Sequence, residues 1–146
     1  MSDDRYECLK LRNQVCFPLY ACSKEVVRRY RPLLDRLNLT YTQYITMMVL
    51  WEEREISMND LGERLFLDSG TLTPLLKNLE SKGYVSRHRS KEDERVLMVN
   101  VTEQGLALRD KAVSVPGELA SCINLGPEDG MKLYELLYKI LDQLKN

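Results

Sequence analysis

The most constraining feature of this 146-residue sequence is a pair of short helical patterns separated by a break. Ser57–Leu65 (SMNDLGERL) has the pattern of a short amphipathic helix with Ser57 as its N-cap. After Phe66-Leu67-Asp68 the pattern resumes over Ser69–Gly83, where four leucines form one apolar face and Gly83 is placed to end the helix. Two helices joined by a short turn, the second with hydroxyls and a lysine on its outer face, are typical of a helix-turn-helix.

Two β-prone runs follow the second helix. Tyr84–Arg89 and Arg95–Val101 together contain four valines and are separated by the charged turn Ser90–Glu94. The sequence therefore predicts a mainly α fold with a small β-hairpin wing, which is a winged helix-turn-helix. The formal net charge is only −1, so any contact with nucleic acid must come from local clustering. Residues 87–91 supply such a cluster, with three fixed positive charges and no acid.

Further helical patterns lie on both sides of this core. Tyr6–Leu37 has helical spacing, and Pro18 and Pro32 must start, kink or stop that helix. Thr40-Tyr41-Thr42-Gln43 fits a capping box that opens another helix. A further helix opens at Thr102-Glu103-Gln104-Gly105 and is interrupted at Val115-Pro116-Gly117.

The last helix, from about Glu128, carries a leucine stripe too wide for a lone surface helix. With the first helix it predicts a dimer interface. We therefore expect a single domain over 1–146, with dimerisation helices at about 6–37 and 103–146 and a winged-helix DNA-binding core at about 40–101.

Composition limits the classes of protein to which the chain can belong. The apolar fraction of 44% suits one compact domain, no apolar run approaches the length of a membrane span, and the first residues do not read as a signal peptide. We expect a soluble, cytoplasmic protein. The four cysteines lack the paired spacing of zinc sites and should be free thiols, so neither a metal nor a cofactor is expected. A lone cysteine is usually a small core residue, which is the expectation for Cys8 and Cys22.

Cys16 has a different neighbourhood. Tyr20 lies four residues on and shares its helix face. The thiolate is the reactive form of cysteine and a free thiol is mostly protonated at neutral pH, so something must favour the anion. Tyr30 lies about 21 Å along a straight helix from Cys16 and cannot reach it without a sharp bend, but it could approach the cysteine of a partner in an antiparallel dimer. Phenol donors would stabilise a thiolate through charge-assisted hydrogen bonds.

Five stretches together carry a family resemblance: Cys16–Ala21 (CFPLYA), Tyr30–Leu34 (YRPLL), Leu39–Tyr41 (LTY), Leu67–Lys77 (LDSGTLTPLLK) and Glu92–Arg95 (EDER). With these stretches the chain resembles the MarR family, and more narrowly its organic hydroperoxide resistance branch. The resemblance implies a dimeric repressor that senses organic hydroperoxides through Cys16 and then releases its operator. It also implies that Tyr30 and Tyr41 of one subunit lie near the sensing cysteine of the other.

A sulfenic acid at Cys16 needs a partner to become a lasting signal. Some members of this branch use a second cysteine in the carboxy-terminal part, and Cys122 lies at about that place. A Cys16 to Cys122 disulfide between subunits and a mixed disulfide with a small cellular thiol both remain open.

The DNA-contacting residues are expected on the second helix of the motif and on the wing. The helix would place in the major groove Ser69, Thr71, Thr73, Pro74 and Lys77. The wing would hold the DNA backbone or minor groove with Arg87, Arg89, Lys91 and Arg95. The resemblance implies that Asp93 and Arg95 pair at the wing tip. Two such units one helical turn apart predict a pseudo-palindromic operator in double-stranded DNA.

Two other functions compete with this interpretation. The first is a MarR-type repressor relieved by a noncovalent aromatic or phenolic ligand, with structural cysteines. The second is an enzyme, a thiol peroxidase, but the sequence has no activating Arg or His beside Cys16, and His88 is expected to be a solvated strand residue. We therefore expect no enzymatic activity.

Overall fold

The computed structural model describes residues 4–145. Residues 1–3, which belong to the stretch that does not read as a signal peptide, lie outside the described residues, as does residue 146 of the predicted domain. The chain divides into two compact units, the first ending at Val115 and the second beginning at Pro116. No helix within residues 4–145 is both long and apolar enough to cross a membrane.

The first α-helix begins later than the sequence predicts. Two 3₁₀ segments, Asp4–Leu9 and Leu11–Asn13, precede α1 (Cys16–Asp35). Pro18 explains the late start, because its ring would clash with the carbonyl of a helical residue four positions earlier. That residue, Gln14, is extended, with φ −101° and ψ 114°. The prediction of a helix from Tyr6 was therefore wrong, and Pro18 lies in the first turn, where its missing N–H has no intrahelical acceptor.

The predicted helix-turn-helix is confirmed. After α2 (Tyr41–Glu53), it comprises α3 (Met58–Leu65) and α4 (Ser69–Ser81). The capping box is present: Thr40 Oγ1 accepts from Gln43 N at 3.3 Å, and Gln43 Oε1 accepts from Thr40 N at 3.1 Å. Ser57 caps α3, and Asp68 caps α4 by accepting from Thr71 N at 2.8 Å.

Gly83 ends α4 as predicted. Its φ of 84° lies in the left-handed region that glycine adopts without a Cβ penalty. Gly83 N donates to Glu80 O and Tyr84 N donates to Leu79 O, both at 3.0 Å. These two bonds form a Schellman motif, which satisfies the last carbonyls of the helix and turns the chain into the wing.

The wing belongs to a three-stranded antiparallel sheet with the order β1-β3-β2. The predicted hairpin is confirmed as β2 (Val85–Arg89) and β3 (Leu97–Val101), with Val85 opposite Val101. Sequence reasoning missed β1 (Glu55–Ser57), because three residues are too few to show an alternating pattern. This strand covers the outer edge of β3.

Three helices complete the chain: α5 (Glu103–Ala112), α6 (Val115–Ala120) and α7 (Pro127–Leu144). Thr102 caps α5 by accepting from Gly105 N at 3.0 Å. The interruption predicted at 115–117 is misplaced, because these residues begin α6 and proline is tolerated in a first helical turn. No residue of α7 is buried within the single chain. Its exposed large apolar side chains are Met131, Leu133, Tyr134, Leu136, Tyr138, Ile140 and Leu144.

Gly105 fixes how closely α5 approaches the wing. A Cβ at this position would lie 2.2 Å from Tyr84 O and 2.9 Å from Val101 Cγ2. We expect Gly105→Ala to lower the free energy of unfolding by about 2 kcal/mol, because forced overpacking outweighs the better helix propensity of alanine. Chemical denaturation would measure the loss. Gly117→Ala is the control, since its Cβ would enter open space, and equal effects of the two substitutions would contradict the packing argument.

Candidate functional site

One face of α4 is buried and the other is open to solvent. Leu72, Leu75, Leu76 and Leu79 are buried in the core of the first unit. Four of the predicted DNA-contacting residues, Ser69, Thr71, Pro74 and Lys77, are exposed, and Thr73 is half-buried. The exposed face also holds Gly70 and Asn78, which sequence reasoning missed. Their spacing of four residues on either side of Pro74 was the signal that could have identified them.

The wing tip carries a bidentate ion pair. Arg95 Nε donates to Asp93 Oδ1 at 3.0 Å, and Arg95 Nη2 donates to Asp93 Oδ2 at 3.2 Å. These hydrogen bonds hold the pKa of Asp93 below its usual value. The pairing implied by the resemblance is thus confirmed. The Arg95 side chain remains 90% exposed, so the pair orients a cation without hiding it.

Arg87 has a different environment from the other predicted wing cations. Its Nη2 lies 3.2 Å from Glu80 Oε1, and its backbone N donates to Glu80 Oε2 at 3.1 Å. Hydrogen bonds from Arg87 lower the pKa of Glu80, and the Arg87 side chain is only 18% exposed. The structure therefore places Arg87 as a brace between α4 and β2, whereas Arg89 and Lys91 are exposed. His88 is a half-exposed strand residue, as predicted, with Nε2 3.8 Å from Glu55 Oε1.

All four cysteines are exposed in the single chain. The expectation that Cys8 and Cys22 are core residues was therefore wrong. Cys8 lies in the first 3₁₀ segment, and Cys22 lies in the half of α1 that has no buried residue, since Leu34 alone is buried in that helix. Cys122 lies between α6 and α7, and its thiol donates to Glu118 O at 3.7 Å.

Cys16 is the first residue of α1, a position that the sequence analysis did not anticipate. The N-cap residue, Val15, provides no side-chain hydrogen bond to the helix end. The first N–H groups of the helix at this end have no intrahelical acceptor. Tyr20, one turn after Cys16, is 60% exposed. The Lys24 Nζ lies over its ring, 5.2 Å from the ring centroid. The site combines an accessible thiol with a helix end.

The other two predicted tyrosines form a cluster at the far end of α1. The Tyr30 ring centroid lies 4.9 Å from that of Tyr41 and 5.7 Å from that of Tyr44. Burial raises the pKa of Tyr30 to about 12 and raises those of Tyr41 and Tyr44 in the same direction. All three phenols are therefore protonated and able to donate at neutral pH. Sequence reasoning missed Tyr44, although its three-residue spacing from Tyr41 places both on one side of α2.

A single chain does not bring this cluster to Cys16. Tyr30 is fourteen residues after Cys16 in the same continuous helix, which is about 21 Å along its axis. No proline lies between Tyr20 and Tyr30 to bend the helix. Among residues 4–145 there is also no group of three or more His, Cys, Asp or Glu side chains arranged to hold a metal ion.

The fold and these surfaces define a winged helix-turn-helix transcriptional regulator. A family model described as transcriptional regulator SarA/Rot matches residues 28–111. The organic hydroperoxide resistance transcriptional regulator of Bacillus subtilis is 44% identical over 142 residues, covering 97% of each chain. The chain therefore belongs to the MarR family, in its organic hydroperoxide resistance branch. These relatives are regulators rather than enzymes.

Solved structures of AbfR of Staphylococcus epidermidis share this fold. Reduced AbfR bound to DNA superposes with a TM-score of 0.80 at 33% identity, over 97% of this chain and 99% of that one. A disulfide-containing form of AbfR gives a TM-score of 0.65 at the same identity and coverage.

Proposed function

We propose that this protein is a DNA-binding repressor that releases its operator when organic hydroperoxides oxidise Cys16. The observation that carries the proposal is the position of Cys16, an exposed thiol at the N-terminus of α1. The similarity to a hydroperoxide resistance regulator and to a regulator solved in reduced, DNA-bound and disulfide forms supports it.

The chemistry at Cys16 is a two-electron oxidation of sulfur. The thiolate attacks the terminal oxygen of the hydroperoxide, the O–O bond breaks, and the alkoxide leaves and takes up a proton as the alcohol. Sulfur is oxidised to a sulfenic acid and the peroxide is reduced. A second thiol then attacks the sulfenic sulfur and releases water, which gives a disulfide.

The proposal requires a homodimer, because the phenol donors cannot reach Cys16 within one chain. In the dimer, Tyr30 and Tyr41 of one subunit stabilise the Cys16 thiolate of the other, beside its own Tyr20. The exposed apolar side chains of α7 supply the surface that such a dimer buries. Cys122 is exposed and accessible as the second thiol, in competition with small cellular thiols. Oxidation removes the acceptor of the phenol hydrogen bonds and thereby shifts the helices that space the two wings.

In the reduced dimer, each α4 enters a major groove and each wing tip places Arg95 against the minor groove. Arg89 and Lys91 contribute backbone contacts, and Asp93 orients Arg95. The two-fold symmetry makes the operator pseudo-palindromic.

Reduced wild-type protein is expected to select a discrete duplex from a random-sequence DNA pool and to release it on addition of cumene hydroperoxide. Fluorescence anisotropy of the labelled selected duplex measures the release, and mass analysis under non-reducing conditions measures the state of Cys16. Binding should also weaken steeply with salt, because phosphate contacts release counterions. Retention of the duplex by protein that is fully oxidised at Cys16 would refute the mechanism.

Repression relieved by a noncovalent aromatic ligand has less support. The cleft bounded by α3 and the sheet has a volume of about 970 Å³ and is open. Its lining is dominated by charged side chains, among them Glu53, Glu55, Asp60, Arg64 and Lys91. Pockets for aromatic ligands are mostly apolar with few polar groups, so this cleft does not suit one.

A further inference from the structure

A buried glutamine connects α2 to the exposed face of α4. Gln43 is 6% exposed and lies in the first turn of α2. Its Oε1 accepts from Thr40 N at 3.1 Å and from Lys82 Nζ at 3.2 Å. Its Nε2 donates to Asn78 Oδ1 at 2.8 Å. The capping residue of one helix thus contacts a side chain on the helix expected to enter the major groove.

The chemistry of these partners fixes both amides. A backbone N–H and a lysine ammonium can only donate, so both must face the oxygen of Gln43. The Gln43 amide nitrogen must therefore face Asn78, and Asn78 must offer its oxygen in return. The Nδ2 group of Asn78 is therefore the end of the amide that faces away from Gln43. It has no hydrogen-bond partner among residues 4–145.

Asn78 lies on the exposed face of α4, one turn after Pro74. An unconstrained asparagine presents a donor and an acceptor together and pairs with both the N6 and the N7 of adenine. Here Asn78 Oδ1 faces Gln43 and accepts from it, so the side of the amide that faces away from Gln43 presents Nδ2, a donor. Such a group matches the acceptors of the major groove, which are purine N7, guanine O6 and thymine O4, and does not match the amino groups of adenine and cytosine.

We propose that Asn78 is a specificity-determining operator contact, held by Gln43 as a hydrogen-bond donor to a base acceptor. The inference rests on the proposed function, because it places α4 in the major groove. Gln43 is a positioning residue in this arrangement and does not itself touch DNA.

The discriminating substitution is Gln43→Glu. A glutamate at this position still completes the capping box and still accepts from Lys82. It cannot donate to Asn78, so the asparagine amide turns over, gives its Nδ2 to Glu and directs Oδ1 outward. The contacted position should then change its preference from a base acceptor to an exocyclic amino group. A purely structural role for Gln43 would not move base preference.

The experiment selects duplexes from a random-sequence pool with reduced wild-type protein, Gln43→Glu, Asn78→Ala and, as control, Ser81→Ala. Ser81 lies at the end of the same helix, and its hydroxyl donates to the backbone oxygen of Asn78. We expect Asn78→Ala to bind the wild-type duplex about tenfold more weakly in the dimer and to lose preference at one symmetric pair of positions. Ser81→Ala should keep the wild-type preference.

The outcomes separate the two proposals. If wild-type protein selects no duplex, the proposed function fails and this inference falls with it. If wild type selects a duplex but Asn78→Ala keeps the same preference, or loses affinity equally for all sequences, the specificity role of Asn78 is refuted. If Asn78→Ala loses preference at one position while Gln43→Glu leaves that position unchanged, the orienting role of Gln43 is refuted and the proposal fails as stated. A changed preference at the same position in both variants supports it.

Discussion

Cys16→Ser is expected to bind the selected duplex as tightly as wild type and to stay bound at cumene hydroperoxide concentrations that release the wild-type protein. Serine is similar in size and keeps the start of α1, because its side chain is also tolerated at a helix N-terminus. Its hydroxyl stays protonated at neutral pH and does not attack a peroxide, so the oxidation step is lost. Anisotropy of the labelled duplex during peroxide titration measures the difference directly.

Cys22→Ser is the matched control for this substitution. Cys22 is an exposed cysteine of the same helix, six residues on and about 240° around it. This variant should release the duplex as readily as wild type. If Cys16→Ser also releases normally, Cys16 is not the sensor, and a noncovalent effector becomes the better explanation. If Cys22→Ser fails to release, the sensor has been assigned to the wrong cysteine.

Cys122→Ser distinguishes the two fates of the sulfenic acid. If Cys122 is the second thiol, oxidised wild-type protein runs as a crosslinked dimer under non-reducing conditions and Cys122→Ser does not. If a small thiol reacts with Cys16 instead, no crosslink forms in either protein, and a mixed disulfide appears once that thiol is added.

The parts of the fold that the sequence predicted well are those fixed by local hydrogen bonds. The Thr40 and Gln43 capping box, the Ser57 cap and the Gly83 helix end each depend on groups within a few residues of one another. The two β-prone runs of the hairpin and the charged turn between them are equally local. Such features are determined by residues close together in the sequence and do not need a tertiary contact.

The features that the sequence did not predict depend on contacts between distant segments, or on whether a segment is buried at all. Arg87 appeared as one cation of a wing cluster, but the Schellman turn brings it against Glu80. Gln43 appeared as a capping residue, and its second role toward Asn78 crosses thirty-five positions. Cys8 lies before α1, and Cys22 lies in the half of α1 that has no buried residue, so both are exposed. Pro18 held a local signal that was misjudged, since its ring decides where α1 begins.

Arg95→Ala is expected to weaken binding of the selected duplex by about a hundredfold, because the dimer loses two arginine contacts of about 1–3 kcal/mol each. The Arg95 side chain is 90% exposed and pairs with Asp93 at the wing tip, so the thermal unfolding midpoint should not change. The slope of log affinity against log salt should become shallower by about two, one for each lost cation. An unchanged affinity and salt slope would show that the wing tip does not touch DNA.

Arg87→Ala is the matched control, because it removes the same charge from a different position in the wing. Both arginines belong to the wing and both are paired with a carboxylate, but Arg87 is 18% exposed and braces β2 against α4. Its removal leaves Glu80 without its cation, so the thermal midpoint should fall, while the salt slope stays close to that of wild type. If the loss of one positive charge per subunit were the whole effect, the two variants would weaken DNA binding equally. A lower midpoint for Arg87→Ala together with a shallower salt slope for Arg95→Ala would show that the geometry of each ion pair determines which arginine contributes to DNA binding.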